Sequence, residues 1–190
     1  MDISTIFIIA LSAAIIYAVV IYNRLIALRN TRKNAFSDID VQLKQRFDLV
    51  PQLVETVKGY AKHEKELFTS VTEARAAVSN APNDSGTERQ TAESFLGRAL
   101  TGLLAVAENY PDLKADTNFK RLMDELAEIE NKIAAARRFF NSATNEYNTY
   151  LQQFPNSLVA GPFGHTEEPF FEFDERLADK IRTVPEVKFS

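Results

Sequence analysis

The chain has no cysteine, only two histidines, six glycines and seven prolines, and its acidic residues outnumber its basic ones for a formal net charge of −4. Each shortage closes a class of function. Without cysteine there is no disulfide, no thiol nucleophile and no cysteine-ligated metal, although the compartment stays open because exported proteins can also lack it. Few glycines and prolines leave little room for a β-rich fold. A net negative chain lacks the basic face that nucleic-acid binders carry, so no nucleic-acid partner is expected. His63-Glu64 begins like a zincin helix, but position 67 is leucine and H-E-x-x-H is absent. The residues three before His63 and His165 are Tyr60 and Pro162, which excludes the paired Glu-x-x-His of a di-iron bundle. There is no phosphate-binding G-x-x-x-x-G-K-[ST] and no G-x-S-x-G elbow. Carboxylates do pair up, as Asp124 with Glu128, but on a helical wheel they point away from the apolar seam and read as a solvated face. No catalytic residue, no metal ligand and no cofactor is expected.

What is present is a long apolar seam. From Asp116 onward, Phe119, Leu122, Leu126, Ile129, Ile133, Ala136, Phe140, Ala143, Tyr147, Tyr150 and Phe154 follow at alternating steps of three and four. That spacing marks a long helix packed along other long helices. At 1.5 Å per residue it makes a rod of roughly 54 Å. Asp116 can cap its start and Phe154-Pro155 should end it. A rod of that length cannot bury its seam alone, so the remaining segments are its expected partners.

Residues 3–22 form a run of twenty without a charge. At helical rise this spans roughly 30 Å, the thickness of a bilayer core. A cleaved signal peptide would have a basic region before a shorter apolar run. Here only Met1 and Asp2 precede it, while Arg24, Arg29, Arg32 and Lys33 follow. The run therefore reads as a transmembrane anchor rather than a buried core helix. The basic bias on its C-terminal side places the N-terminus outside and the rest in the cytoplasm.

Leu25, Leu28, Phe36, Ile39, Leu43 and Phe47 continue the helical spacing, so one helix is expected to leave the bilayer and run to about Arg46. Asp48 then reads as an N-cap with Pro51 in the first turn of the next helix, which carries Leu53, Val54, Val57, Tyr60, Leu67, Val71, Ala74 and Val78. Residues 80–87 form a polar loop. A third helix covers residues 87–110 and closes at Tyr110-Pro111; the rod from Asp116 is the fourth. The expected fold is all-α: an antiparallel bundle of four long helices, preceded by a transmembrane helix continuous with the first. The expected domains are an anchor (1–23), the bundle (24–154) and a Pro/Phe-rich tail (155–190). The tail is too apolar for a plain disordered linker. It either lies back on the bundle or docks on a partner or the membrane surface, and residues 174–182 could form a short helix within it.

A strip beside the seam carries Glu130, Arg137, Asn141, Thr144 and Asn148, within roughly 60° on a wheel of 100° per residue. Asp40, Lys44, Arg46, Asp48, Glu64 and Arg75 on neighbouring helices could satisfy such groups. The candidate interaction residues are thus Asp40, Glu64, Glu130, Arg137, Asn141 and Asn148. Their arrangement fits a hydrogen-bond network that sets helix register, or a surface that recognises another copy or a partner.

Taken together, these residues resemble the LemA family of bacterial membrane proteins. The resemblance is carried by Tyr22-Asn23-Arg24-Leu25-Ile26, by Asp48-Leu49-Val50-Pro51-Gln52-Leu53-Val54, and by Val57-Lys58-Gly59-Tyr60-Ala61 with His63-Glu64. Tyr110-Pro111-Asp112-Leu113-Lys114-Ala115, Arg137-Arg138-Phe139-Phe140-Asn141, Tyr147-Asn148, Phe154-Pro155 and residues 161–171 extend it over nearly the whole chain. The resemblance implies a single-pass anchor of the bacterial inner membrane followed by a helical bundle, with no established enzymatic activity. The family includes a magnetosome-membrane protein needed to build that organelle, and its genes often lie near membrane metallopeptidases. A scaffold that self-associates is one expectation; an adaptor or regulator of a membrane partner such as a metallopeptidase is the other. The expected partners are the lipid bilayer through residues 3–22, further copies of the chain, and a membrane protein.

Overall fold

A computed structural model describes residues 2–172, and among these every regular element is helical. The elements are α1 (Ile3–Tyr60), α2 (Lys65–Asn80), α3 (Thr87–Ala107), α4 (Pro111–Ala115), α5 (Thr117–Gln152) and α6 (Asn156–Ala160), followed by a 3-10 turn at Gly161–Phe163. The short helix expected at residues 174–182, and Phe173, Pro185 and Phe189, lie outside the described residues.

The described chain divides into two compact units, and both long helices contribute to each. The first unit takes residues 2–37 and 138–170. Its core is Ile21, Leu25 and Leu28 of α1 against Tyr147 of α5 and Ala160 of α6, with Tyr150, Leu151 and Val159 at the margin. The second takes residues 38–137 and 171–172. There Ile39, Leu43, Val50, Leu53 and Val57 of α1 are buried, as are Val71, Ala74 and Val78 of α2, Leu96, Leu100 and Leu103 of α3, and Leu122, Leu126 and Ile129 of α5.

The seam of α5 is placed as its spacing requires. Phe119, Leu122, Leu126, Ile129, Ile133, Phe140, Ala143 and Tyr147 are buried, with Ala136 and Tyr150 half-buried. Asp116 caps the helix: the Phe119 N–H donates to its Oδ1 at 2.8 Å, and the Tyr60 hydroxyl donates to Oδ2 at 3.0 Å. The Phe119 bond, and then the Tyr60 one, hold the Asp116 carboxyl below its ordinary range. At the other end the seam stops early. The helix ends at Gln152, and Phe154 is 83% exposed instead of closing the stripe.

The expected break between Arg46 and Pro51 does not occur; α1 continues through Pro51 to Tyr60. Proline removes a main-chain donor and costs about 3 kcal/mol inside a helix. Around it, however, Leu49, Val50, Leu53 and Val57 are all buried on one unbroken stripe, and their packing outweighs the local penalty. Asp48, read as an N-cap, instead accepts from Lys44 one turn earlier at 2.5 Å. The break falls at residues 61–64, two residues past Gly59, where α2 begins without a side-chain cap. Similarly, α3 ends at Ala107 rather than Tyr110, and Pro111 opens α4, a position where its missing N–H costs nothing.

Candidate functional site

Among the described residues, the buried charged side chains form two groups, one in each unit. In the second unit the centre is Arg46, fully buried at 0% exposure. It occupies a seam position of α1, in the progression Ile39, Leu43, Arg46, Val50, Leu53, so the helix that buries those leucines buries the guanidinium too. One of its terminal nitrogens donates to Glu130 Oε1 of α5 at 2.9 Å, the other to Glu93 Oε2 of α3 at 2.7 Å. Glu93 also lies 2.9 Å from Arg89, one turn earlier on α3, and Arg89 reaches Asp40 of α1 at 3.3 Å. The result is an alternating chain, Glu130–Arg46–Glu93–Arg89–Asp40, closed at its outer end by Asn83, which donates to Asp40 at 3.3 Å. Burial works against the Arg46 charge, but Glu130 and Glu93 more than reverse this and hold it more firmly protonated than a free arginine. Guanidinium groups do not give up protons at physiological pH, so these contacts fix positions and offer no acid or base.

In the first unit the centre is Arg32. Its Nε donates to Thr144 Oγ1 at 3.1 Å, and a terminal nitrogen donates to the Pro169 carbonyl at 3.0 Å. Its other terminal nitrogen lies 3.2 Å from Glu168, and its guanidinium sits 4.7 Å from the Phe140 ring centre. Asn148 clasps the main chain of Glu168 twice: its side-chain amide donates to the carbonyl, and its Oδ1 accepts from the N–H, each at 2.9 Å. Tyr147 and His165 Nδ1 are 3.0 Å apart in the interior. Tyr22 packs its ring 4.9 Å from that of Phe163 and 6.0 Å from the His165 imidazole. Through these contacts, residues 163–169 are held on α1 and α5.

The residues of the expected polar strip are shared between the units, Glu130 and Arg137 in the second and Asn141, Thr144 and Asn148 in the first. Glu130 belongs to the Arg46 chain, while Thr144 and Asn148 hold the tail. Arg137 and Asn141 are half-buried. Asp40 joins the Arg46 chain, and Glu64 stands apart, accepting from the Tyr110 hydroxyl at 3.2 Å. Of the four basic residues after the apolar run, Arg24, Arg29 and Lys33 are exposed, and Arg24 meets Glu146 at 2.8 Å. Arg32 is buried inside the protein with Glu168 as its counter-ion, so it is not among the charges that face outward. Glu93 and Arg89 were missed. Glu93 had a signal, since Glu93, Leu96, Leu100, Leu103 and Ala107 keep the three-four spacing of a buried stripe. Among the described residues, no three His, Asp or Glu side chains gather at one point as a metal ion would need.

The Arg46 chain and the tail clasp both draw on residues inside one stretch that a known family pattern covers: the LemA family model matches residues 35–189. The chain belongs to the LemA family. Among curated LemA-like relatives, Magnetosome protein MamQ 2 of Paramagnetospirillum magneticum is 24% identical over 175 residues, covering 80% of this chain and 64% of its own length. Magnetosome protein MamQ of Magnetospirillum gryphiswaldense is 22% identical over 174 residues, covering 79% and 64%. Protein LemA of Metamycoplasma hominis is 28% identical over 138 residues, covering 73% and 63%. The chain thus spans a little under two thirds of these relatives. All five members of the Arg46 chain lie within the LemA match, whereas Arg32 lies just ahead of it.

The His165 contact of this LemA-family chain carries a pH dependence. Burial, with the Arg29 charge second, pushes the imidazole below its ordinary value, so the folded state prefers it neutral. The neutral ring shares a hydrogen bond with the Tyr147 hydroxyl at Nδ1. The associated stability is fully present above about pH 6.5, the ordinary histidine value, and declines as pH falls below it, because only the unfolded chain takes up the proton. Limited proteolysis after residue 163 is expected to accelerate on acidification below that point. His165→Asn should flatten this step.

Proposed function

We propose that this LemA-family chain is a membrane-anchored structural protein that acts by assembling at the bilayer surface, with no reaction of its own. The observation that carries the reading is the first part of α1. It is long and apolar enough to cross a bilayer, and none of its most apolar stretch is buried. A helix of that composition in the core of a soluble protein would be covered by its neighbours. Here no side chain of residues 3–20 is buried, and burial starts at Ile21. A bilayer supplies the missing cover, and α1 then continues into the two units without a Gly- or Pro-rich joint that would free them from the anchor. The magnetosome proteins among the relatives support a place at a membrane.

In this reading the long helices make an antiparallel four-helix bundle held close to the inner membrane of a bacterium, with residues 1–23 as anchor and 24–154 as bundle. The second unit supports the antiparallel arrangement: Arg46 pairs with Glu130, while Tyr60, farther along α1, pairs with Asp116, farther back before α5. Copies side by side would form the scaffold. The exposed Arg24, Arg29 and Lys33 favour a cytoplasmic bundle. Protease added to intact spheroplasts should leave the loop at residues 80–86 uncut until the membrane is broken. Cutting in intact spheroplasts would reverse the orientation.

A further inference from the structure

The tail after α5 comes back to the level at which the apolar run of α1 ends. Ala160 and Val159 pack in the cluster of Ile21, Leu25 and Leu28, and the Phe163 ring meets Tyr22, at the end of the apolar run. The tail is charge-free at the same level. Residues 147–166 contain no Asp, Glu, Lys or Arg, matching the stretch of α1 from Ile3 to Asn23. On both helices charge resumes together, at Arg24 and Glu146, which pair at 2.8 Å.

Within that charge-free zone the tail turns large apolar side chains outward. Phe154 is 83% exposed, Leu158 66% and Phe163 63%. Their neighbours Asn156 and Ala160 are buried, so the segment is seated on the protein and its outward face is left over. Apolar side chains clustered beside a polar boundary mark a surface that meets another apolar phase. Aromatic rings at the end of a spanning helix sit at the headgroup level of a bilayer, and short amphipathic segments bury their apolar face just beneath it.

We infer that the α6 segment, with Phe154, Leu158 and Phe163, is an interfacial wedge that inserts into the headgroup–acyl boundary beside the anchor. This rests on the reading of residues 3–22 as a membrane span, because it is continuity with that exposed apolar run that selects lipid over another protein as the occupant. The function follows from the geometry. A single helix can tilt and rotate in a bilayer, whereas a helix with a wedge docked on one side has a preferred face toward the surface.

The chain has no tryptophan, so single substitutions make clean depth reporters. Four full-length variants are needed: Leu11→Trp within the run, Leu158→Trp and Phe163→Trp on the wedge, and Phe139→Trp on α5. Phe139 neighbours Phe140, which faces Phe36, fourteen residues or roughly 21 Å along α1 from Tyr22. All four replace exposed apolar side chains; only Phe163 also stacks on another ring, that of Tyr22, and tryptophan keeps an aromatic face there. Each is reconstituted in vesicles of phosphatidylcholine and phosphatidylglycerol brominated either near the headgroup end or near the methyl end of the acyl chains. Tryptophan at 158 and at 163 should lose most of its emission to bromines near the headgroups, tryptophan at 11 to bromines near the methyl end, and tryptophan at 139 to neither. If position 11 is quenched while 158 or 163 is not, the wedge is wrong and the span stands. A blue shift at 158 or 163 without quenching would assign that face to a second copy instead and equally overturn the proposal. If position 11 is not quenched, the span reading fails and the wedge with it.

Discussion

Arg46→Leu is expected to destabilise the chain by about 3–5 kcal/mol, the cost of leaving buried charges without their partner. Glu93, with 0% exposure, and Glu130 would lose the guanidinium that bridges them. Glu93 would keep Arg89, whereas among the described residues Glu130 pairs with Arg46 alone. For a chain of this length the loss corresponds to a fall in Tm of roughly 6–20 °C. The triple replacement Arg46→Leu, Glu93→Leu, Glu130→Leu removes the charges together and should recover most of the loss, since buried ion pairs are often no better than apolar residues of similar volume. Thermal unfolding followed by circular dichroism separates the cases. A triple variant no more stable than the single one would mean that the cost is packing, not unpaired charge.

Ile133→Asp is the second large effect. The side chain is 4% exposed on the seam of α5, and an aspartate there would be buried without a counter-charge, costing several kcal/mol. That is a large part of the ~5–15 kcal/mol by which a typical domain is stable. Glu128 provides the contrast. It faces outward, two-thirds exposed, with Lys132 one turn on at 2.6 Å. Lys132 holds its carboxyl below the ordinary range, yet an exposed pair of this kind is screened by solvent. Glu128→Gln should therefore leave the melting temperature essentially unchanged. Equal melting shifts for the two variants would mean that the helix faces are assigned wrongly.

The parts of the fold legible in the sequence are those in which one local rule and the tertiary packing agree. The seam of α5 and its Asp116 cap are such a case, because period and cap point to the same helix. Pro51 is the opposite case. The local rule calls for a helix start, but Leu49, Val50, Leu53 and Val57 stay on one buried stripe, and packing prevails. The polar interior was half legible for a related reason. Arg32, Arg46 and Glu93 all sit at seam positions, where a reading that counts only apolar residues registers a gap. Apart from Arg89, one turn before Glu93, their partners are 47 to 137 residues distant, so spacing along one helix cannot pair them. The docking of residues 163–169 depended on Asn148 accepting and donating to a main chain, which no side-chain pattern announces.

The central claim, that this LemA-family chain acts by assembly, is tested most directly by the mass of the full-length protein in detergent, measured by light scattering on a sizing column with the detergent contribution subtracted. The account predicts a discrete oligomer, with the same number of copies across a tenfold dilution. A uniform monomer throughout that range would contradict it and favour an adaptor that acts on a different membrane protein.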